Sequence, residues 1–124
     1  MIKERFCSYE VAKLLKEKGF DVGCYGRYST RSKEFHFDAT RRCENKGLFV
    51  IAAPTHQMAC NWLREVHKIF IEISVSIDLN GDYHYSYSVL NKDCKYVRKD
   101  YTSFDWNFID AVEEALKYSL KNLI

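Results

Sequence analysis

Apolar residues at helical spacing predict a first helix over about residues 9–18. They recur every three or four positions behind Ser8, a residue type that caps helix N-termini. Gly19 stands where a helix commonly ends in a left-handed conformation, followed by the apolar Phe20. The chain therefore begins with a short amphipathic helix that has recognisable signals at both ends.

Apolar residues recur at the same helical spacing in two further segments. Thr55 is the predicted N-cap of a second helix that ends near His67 or Lys68. A third helix, capped by Ser103 or Asp105, runs to the end of the sequence, with acids at its start and lysines at its end.

Alternating apolar and polar residues predict strands over residues 71–79 and 83–89. Asn80 and Gly81 lie between them, and both tolerate the positive φ that a type I′ turn needs. A shorter strand over residues 94–99 completes an antiparallel meander. The tyrosines of the second strand are expected to pack under the helices.

The strand pattern is weaker before the second helix. Residues 34–40 alternate, residues 48–52 form a continuous apolar run expected to be buried, and a strand over residues 24–28 is only weakly indicated. We predict an α+β fold in the order α-β-β-α-β-β-β-α. It has an antiparallel sheet of about five strands, with the helices packed mainly on one face. The predicted core contains Met58, Trp62, Leu63, Val66, Ile73, Val75, Val112, Leu116 and Leu120.

Composition fits one compact domain over residues 1–124. Hydrophobic residues make up 47% and aromatic residues 15%, enough for a core. No apolar run is long enough to cross a membrane, and no secretory signal is present at the start, so we expect a cytoplasmic location without membrane contact. The net charge is +2, the sum of a net charge of +4 over residues 1–50 and a net charge of −2 over the remainder.

The five cysteines are odd in number and include no C-x-x-C pair, which predicts reduced thiols. His56 and Cys60 lie one helical turn apart, but a zinc site needs two more ligands and a cysteine nucleophile needs an orienting third group. We therefore predict no metal, no cofactor and no catalytic residues, and favour a protein that is not an enzyme. A small hydrolase is the third alternative.

Arginines and tyrosines interleave in the polar stretch after the first helix. Such residues can bind phosphate in a bidentate manner and stack on bases, whereas the alternative is a solvated basic loop. The predicted ligand-binding residues are Tyr25, Arg27, Tyr28, Arg31, Arg41 and Arg42.

Four segments carry a family resemblance that covers nearly the whole chain: Ser8–Phe20, Ala53–Thr55, Trp62–His67 and Glu113–Leu116. Their pattern resembles a family of small uncharacterised proteins of bacteriophages and prophages of gut Bacteroidales. The resemblance implies a phage-related origin and a place in the host cytosol. It implies no activity and assigns no site residues.

We therefore predict a non-enzymatic accessory protein that binds a protein partner or a second copy of itself. The alternative is a module that binds a nucleotide or nucleic acid, including one that sequesters a cyclic nucleotide used in host defence.

Overall fold

The computed structural model describes residues 4–102 and 107–124, and its elements confirm the α+β class. In chain order they are α1 Tyr9–Glu17, β1 Gly26–Ser29, β2 Phe35–Phe37, β3 Val50–Ala53, α2 His56–His67, β4 Phe70–Ile77, β5 Tyr83–Leu90, β6 Tyr96–Tyr101 and α3 Phe108–Asn122. Contacts group the chain into two compact units, Met1–Ala59 and Cys60–Ile124. The expectation of one domain over residues 1–124 stays a prediction.

The described strands form two three-stranded antiparallel sheets, so the prediction of a single sheet of about five strands was wrong. One sheet has the order β2-β1-β3 and the other β4-β5-β6. The weakly indicated strand β1 is the reason, because it pairs with both β2 and β3 and completes a separate sheet in the first unit. The second sheet is the predicted meander.

In the first unit, α1 lies where the sequence predicts it. The Val11 N–H donates to Ser8 Oγ at 3.2 Å, and Gly19 follows the helix with a φ of +92°. The helix buries Val11, Ala12 and Leu15. It therefore contributes the apolar face that its period indicates.

The buried part of β3 begins later than predicted. Ile51 is 3% exposed and Ala52 is fully buried, but Leu48 is 84% and Phe49 58% exposed. Residues 47–49 form bends before the strand starts, so their side chains are not directed by the pleat of a sheet.

Helix α2 begins as predicted, with the Met58 N–H donating to Thr55 Oγ1 at 3.2 Å. It ends at His67, and Lys68 follows with a φ of +55°. This turn brings Ile69, 5% exposed, into the core in place of the predicted Val66, which is 58% exposed.

The core of the second unit contains Trp62, Leu63, Val112, Leu116 and Leu120, as predicted. Met58, in the first unit, and Ile73 are half-buried. The predicted caps of α3, Ser103 and Asp105, lie outside the described residues. The structure shows Asn107 as the cap, with Oδ1 accepting from the Asp110 N–H at 2.8 Å.

Burial decreases along the β4–β5 hairpin towards its turn. Tyr87 is 2% exposed, whereas Val75 is 57% and Tyr83 66% exposed. Phe108, the first residue of α3, contacts the Tyr85 ring at 5.7 Å, and Tyr85 is the cross-strand neighbour of Val75. Val75 therefore lies beside the first residue of α3, at the end of the sheet face that this helix covers. For this reason the prediction that Val75 belongs to the core was wrong.

The hairpin turn is at the predicted place, but its type differs. Gly81 has a φ of +83°, and Asn80 does not have a positive φ. The Asp78 N–H donates to Asp82 O at 2.9 Å, which closes a three-residue loop. Asp78 Oδ1 also accepts from the Asn80 and Asp82 N–H groups at 2.8 and 3.0 Å. These bonds favour a turn in which only the glycine is left-handed.

Candidate functional site

The charges of three basic side chains of the first unit act on the Cys43 thiol. Burial raises the pKa of Cys43, while the charges of Arg27, Lys16 and Arg41 act to lower it. Arg27 also lies near the carboxylate of Asp38, whose pKa is lowered chiefly by hydrogen bonds from Thr40. Arg27 and Arg41, two of the predicted ligand-binding residues, therefore influence the same thiol.

Arg42 and Tyr25 form a second pair in this unit. The guanidinium carbon of Arg42 lies 5.3 Å from the centre of the Tyr25 ring. A hydrogen bond with Tyr25 raises the pKa of Arg42. Both side chains of this pair are exposed. The preceding residue, Cys24, is buried, and burial raises the pKa of its thiol to about 11. The pair is a cation–π contact at the surface.

The other two predicted residues lie elsewhere. Arg31 follows the far end of β1, and its guanidinium stacks over Phe49 at 4.9 Å. The Tyr28 hydroxyl donates to Cys7 O at 2.7 Å, and the Tyr28 ring contacts Phe35 at 5.4 Å. The structure thus does not bring all six predicted residues together. Tyr25 and Arg42 contact each other, and Arg27 and Arg41 influence the Cys43 thiol, while the role of all six residues in ligand binding stays a prediction.

The cysteine of α2 is not set up as a nucleophile. Burial raises the pKa of Cys60 to about 11, with Arg64 acting weakly in the other direction. A raised pKa disfavours the thiolate, which is the reactive form and the form that binds metals. Within residues 4–102 and 107–124, no three His, Cys, Asp or Glu side chains gather as metal ligands.

A cavity of about 410 Å³ in the second unit was not predicted. It is lined by Tyr87, Arg98, Tyr101, Glu114, Lys117, Tyr118 and Lys121. β5, β6 and α3 supply these residues, so they come from distant parts of the sequence. The lining carries three cationic groups and one carboxylate.

Arg98 contacts two of the tyrosine rings that line this cavity. Its guanidinium carbon lies 3.8 Å from the centre of the Tyr101 ring and 4.6 Å from that of Tyr118. Burial raises the pKa of Tyr87, while the charge of Arg98 and its hydrogen bond to the Tyr87 hydroxyl oppose the rise. Arg98 Nε is buried and has no hydrogen-bond acceptor among the described residues.

The lysines of this cavity lie on α3. Lys117 Nζ is 3.5 Å from Glu114 Oε1, so the one carboxylate that lines the cavity among the described residues is paired with a cation. Sequence reasoning missed the site because no local motif contains it. The available signal is one tyrosine and two lysines at helical spacing, Lys117, Tyr118 and Lys121, that the apolar stripe of α3 does not use.

The outer edge of β4 is the third feature. Within residues 4–102 and 107–124, β4 pairs with β5 alone, and it is one of the two edge strands of its sheet. Glu72 is its only charged residue. Val75 and Ile77 lie on one face, 57% and 62% exposed, and the exposure of Leu79 just beyond the strand is 106%. An edge of this length and composition is prone to pair with another strand.

No family model matches the chain, and no curated protein or solved structure matches it significantly. Among the described residues, no helix is long and apolar enough to cross a bilayer.

Proposed function

We propose that the protein acts by binding and that its principal binding surface is the β4 edge, which pairs with the β4 edge of a second copy. The observation that carries the proposal is an eight-residue edge strand with a single charge and an exposed apolar face. Isolated exposed apolar residues are common, but a row of them beside unpaired backbone groups is typical of an interface.

A second copy fits this edge because the strand is complementary to itself. If a two-fold axis passes through Ser74, antiparallel pairing sets Ile73 opposite Val75 and Ile71 opposite Ile77. The apolar residues of both copies then share one face, because residues of the same parity lie on the same side of a sheet. Glu72 lies opposite Ser76, so no like charges meet.

The other edge of the same sheet is poorly suited to such pairing. β6 carries Arg98, Lys99 and Asp100 among its six residues, and its register with β5 shifts between Tyr87 and Val89. Charges and bulges are devices that keep edge strands from pairing. This contrast favours β4 as the surface of association.

The mass in solution tests the proposal. Sedimentation analysis of the wild type should give a concentration-dependent mass rising towards twice the 14.7 kDa of one chain. Ile77→Lys places a charge beside an apolar partner and should weaken association at least tenfold. Ser76→Lys adds the same charge on the opposite face, beside Glu72 of the other copy, and should leave association intact. A wild type that stays monomeric at all concentrations overturns the proposal.

Binding of a small phosphate-bearing ligand is a second candidate function, favoured by the cavity around Arg98. Three cations, one of them an arginine with a buried unsatisfied nitrogen, face a single paired carboxylate. Arginine prefers planar, bidentate contact with phosphate or carboxylate oxygens, and tyrosine rings fix its orientation here. This site supports the alternative function at a place other than the predicted loop.

Thermal-shift titration with inorganic phosphate and adenosine monophosphate tests this candidate. Phosphate should raise the melting temperature, and added salt should reduce the effect because the attraction is ionic. Arg98→Gln and Lys121→Gln should both reduce the shift, while Lys99→Gln, one residue along β6, should preserve it. Equal shifts in all the variants would assign the effect to general charge and reject the site.

The resemblance to phage proteins supports a role of this kind in the cytosol of a bacterial host. A small accessory protein that associates with itself or with another protein needs an exposed, complementary surface and no catalytic machinery.

A further inference from the structure

Cys24 and Cys43 face each other across an isolated antiparallel β-bridge in the first unit. The Cys24 N–H donates to Cys43 O at 2.9 Å, and the Cys43 N–H donates to Cys24 O at 2.6 Å. Two residues that exchange both bonds have their Cα atoms about 5.5 Å apart. Disulfides span Cα separations of about 4.4–6.8 Å, so this backbone arrangement already lies within reach of a cross-link.

Each thiol is at present directed to a carbonyl group. Cys24 Sγ lies 3.3 Å from Val22 O, and Cys43 Sγ lies 3.6 Å from Glu44 O. Rotation of the two side chains about the Cα–Cβ bond is the movement required to bring the sulfur atoms together.

The two thiols differ in their access to a reagent. Cys24 is 2% exposed, whereas Cys43 is half-buried, and the charges of Lys16, Arg27 and Arg41 act on its thiol. Burial raises the pKa of Cys43 and these charges only oppose the rise, so exposure, and not thiolate character, separates the two residues. Cys43 is therefore the residue that an oxidant reaches first, and Cys24 is placed to resolve the product.

We propose that Cys24 and Cys43 form a reversible disulfide on oxidation by a peroxide. The Cys43 thiolate attacks one peroxide oxygen and releases hydroxide, which leaves a sulfenic acid. Cys24 then attacks this sulfur, and its proton leaves with the hydroxyl group as water. In total, two thiols and one hydrogen peroxide give one disulfide and two waters.

The geometry predicts a bond that is easily reduced. Directly opposite residues of an antiparallel pair have Cβ atoms about 4.5–5.5 Å apart, with hydrogen-bonded pairs at the longer end. A relaxed disulfide needs about 3.8 Å, so closure strains the bridge, and strained disulfides are more readily reduced. Closure links the segment with Arg41 and Arg42 covalently to the residue before Tyr25, and a reductant releases it.

Peptide mapping after peroxide treatment tests the proposal. The native protein is oxidised, its remaining thiols are alkylated under denaturing conditions, and the digest is analysed by mass spectrometry. We expect one linked pair of peptides carrying Cys24 and Cys43, lighter by two hydrogen atoms than the two thiol peptides and separated by dithiothreitol. Cys7, Cys60 and Cys94 should be recovered alkylated.

The matched variants are Cys43→Ser and Cys94→Ser. Cys43→Ser should abolish the link and leave Cys24 alkylated, whereas Cys94→Ser, which changes an exposed cysteine in a turn of the other unit, should preserve it. The peptide map of the oxidised wild type can be interpreted without the variants, so the test remains valid even if a variant folds poorly. Oxidation of Cys43 to the sulfinic acid without a link to Cys24, or a link through Cys94, would overturn the proposal.

Discussion

At the scale of single residues, Asn45 shows how one side chain orders the irregular stretch before β3. Its Nδ2 donates to Phe20 O at 3.0 Å, and its Oδ1 accepts from the Ala52 N–H at 2.8 Å. A side chain that satisfies two backbone groups at once replaces the hydrogen bonds that regular structure would supply. It therefore ties the stretch containing Arg41 and Cys43 to the end of α1 and to β3.

Gly26 is required by close approach rather than by its backbone angles. A Cβ at this position would lie 2.8 Å from Ala53 O and 2.9 Å from a ring carbon of Phe6. We expect Gly26→Ala to lower the free energy of unfolding by about 1–3 kcal/mol, the usual cost of overpacking. Gly47→Ala is the control, since nothing lies within 4 Å of its added Cβ. Urea denaturation of both variants measures the difference, and equal stabilities would contradict the packing around β1.

Asp78 makes stability depend on pH in the acid range. A hydrogen bond from His84, at 2.7 Å, followed by backbone bonds from Asp82 and Asn80, lowers the pKa of this carboxyl below its ordinary 3.8. The stabilisation is therefore complete above 3.8 and is lost as the pH falls through the lower folded-state pKa.

Asp78→Asn should remove this part of the acid dependence. We expect the wild type to lose stability more steeply than the variant below 3.8, as measured by denaturation midpoints at a series of pH values. Asp93→Asn, an exposed carboxylate in the other turn, should keep the wild-type slope. Identical slopes for Asp78→Asn and the wild type would show that the bonds in the turn do not persist in solution.

At the scale of elements, the two loops of the meander have the same construction. Asp78 in one and Asn91 in the other accept from backbone N–H groups two and four residues ahead. The third residue after Asp78 and after Asn91 is left-handed, Gly81 with a φ of +83° and Cys94 with a φ of +57°. Glycine adopts this conformation freely, whereas other L-residues are strained there.

This common construction predicts opposite effects for two substitutions. Cys94→Gly should raise the free energy of unfolding by about 1 kcal/mol, and Gly81→Ala should lower it by a similar amount. An alanine Cβ at position 81 meets nothing within 4 Å, so backbone strain is the only cost. Thermal denaturation of the two variants checks the signs, and a change of the same sign in both would disprove the shared turn geometry.

The helices and the meander could be predicted because their signals are local. Apolar period and caps define α1 and α2, and Asn80-Gly81 marks the hairpin. The separate first sheet could not, because β1, the sequence Gly-Arg-Tyr-Ser, has no alternation and its pairing with β3 is a long-range event. The exposure of Val75 depends on where α3 begins, which no period along β4 encodes.

For the candidate sites as well, local features could be predicted from the sequence and long-range contacts could not. The sequence indicated a basic, tyrosine-rich stretch, but the distribution of Arg31 and Arg42 to different surroundings depends on the course of the backbone. The cavity around Arg98 combines two strands and a helix. The pairing of Cys24 with Cys43 comes from a single bridge between two irregular segments. Each is a product of tertiary structure.

At the scale of the whole molecule, the two units have different chemistry. The first carries the cysteine pair and the cations around it, and the second carries the open β4 edge and the Arg98 cavity. The excess of +4 in residues 1–50 and of −2 in the remainder follows the same division. Self-association through β4 would present two copies of each first-unit surface in one particle.

Hydrogen exchange of the β4 amides tests self-association through this edge most directly. If two copies pair there, protection over Phe70–Ile77 should increase with protein concentration, because outward N–H groups gain acceptors only in the dimer. The other edge strand, Tyr96–Tyr101, is the control within the same molecule and should not change. Protection of β4 that is independent of concentration, or that changes equally in β6, would contradict pairing at this edge.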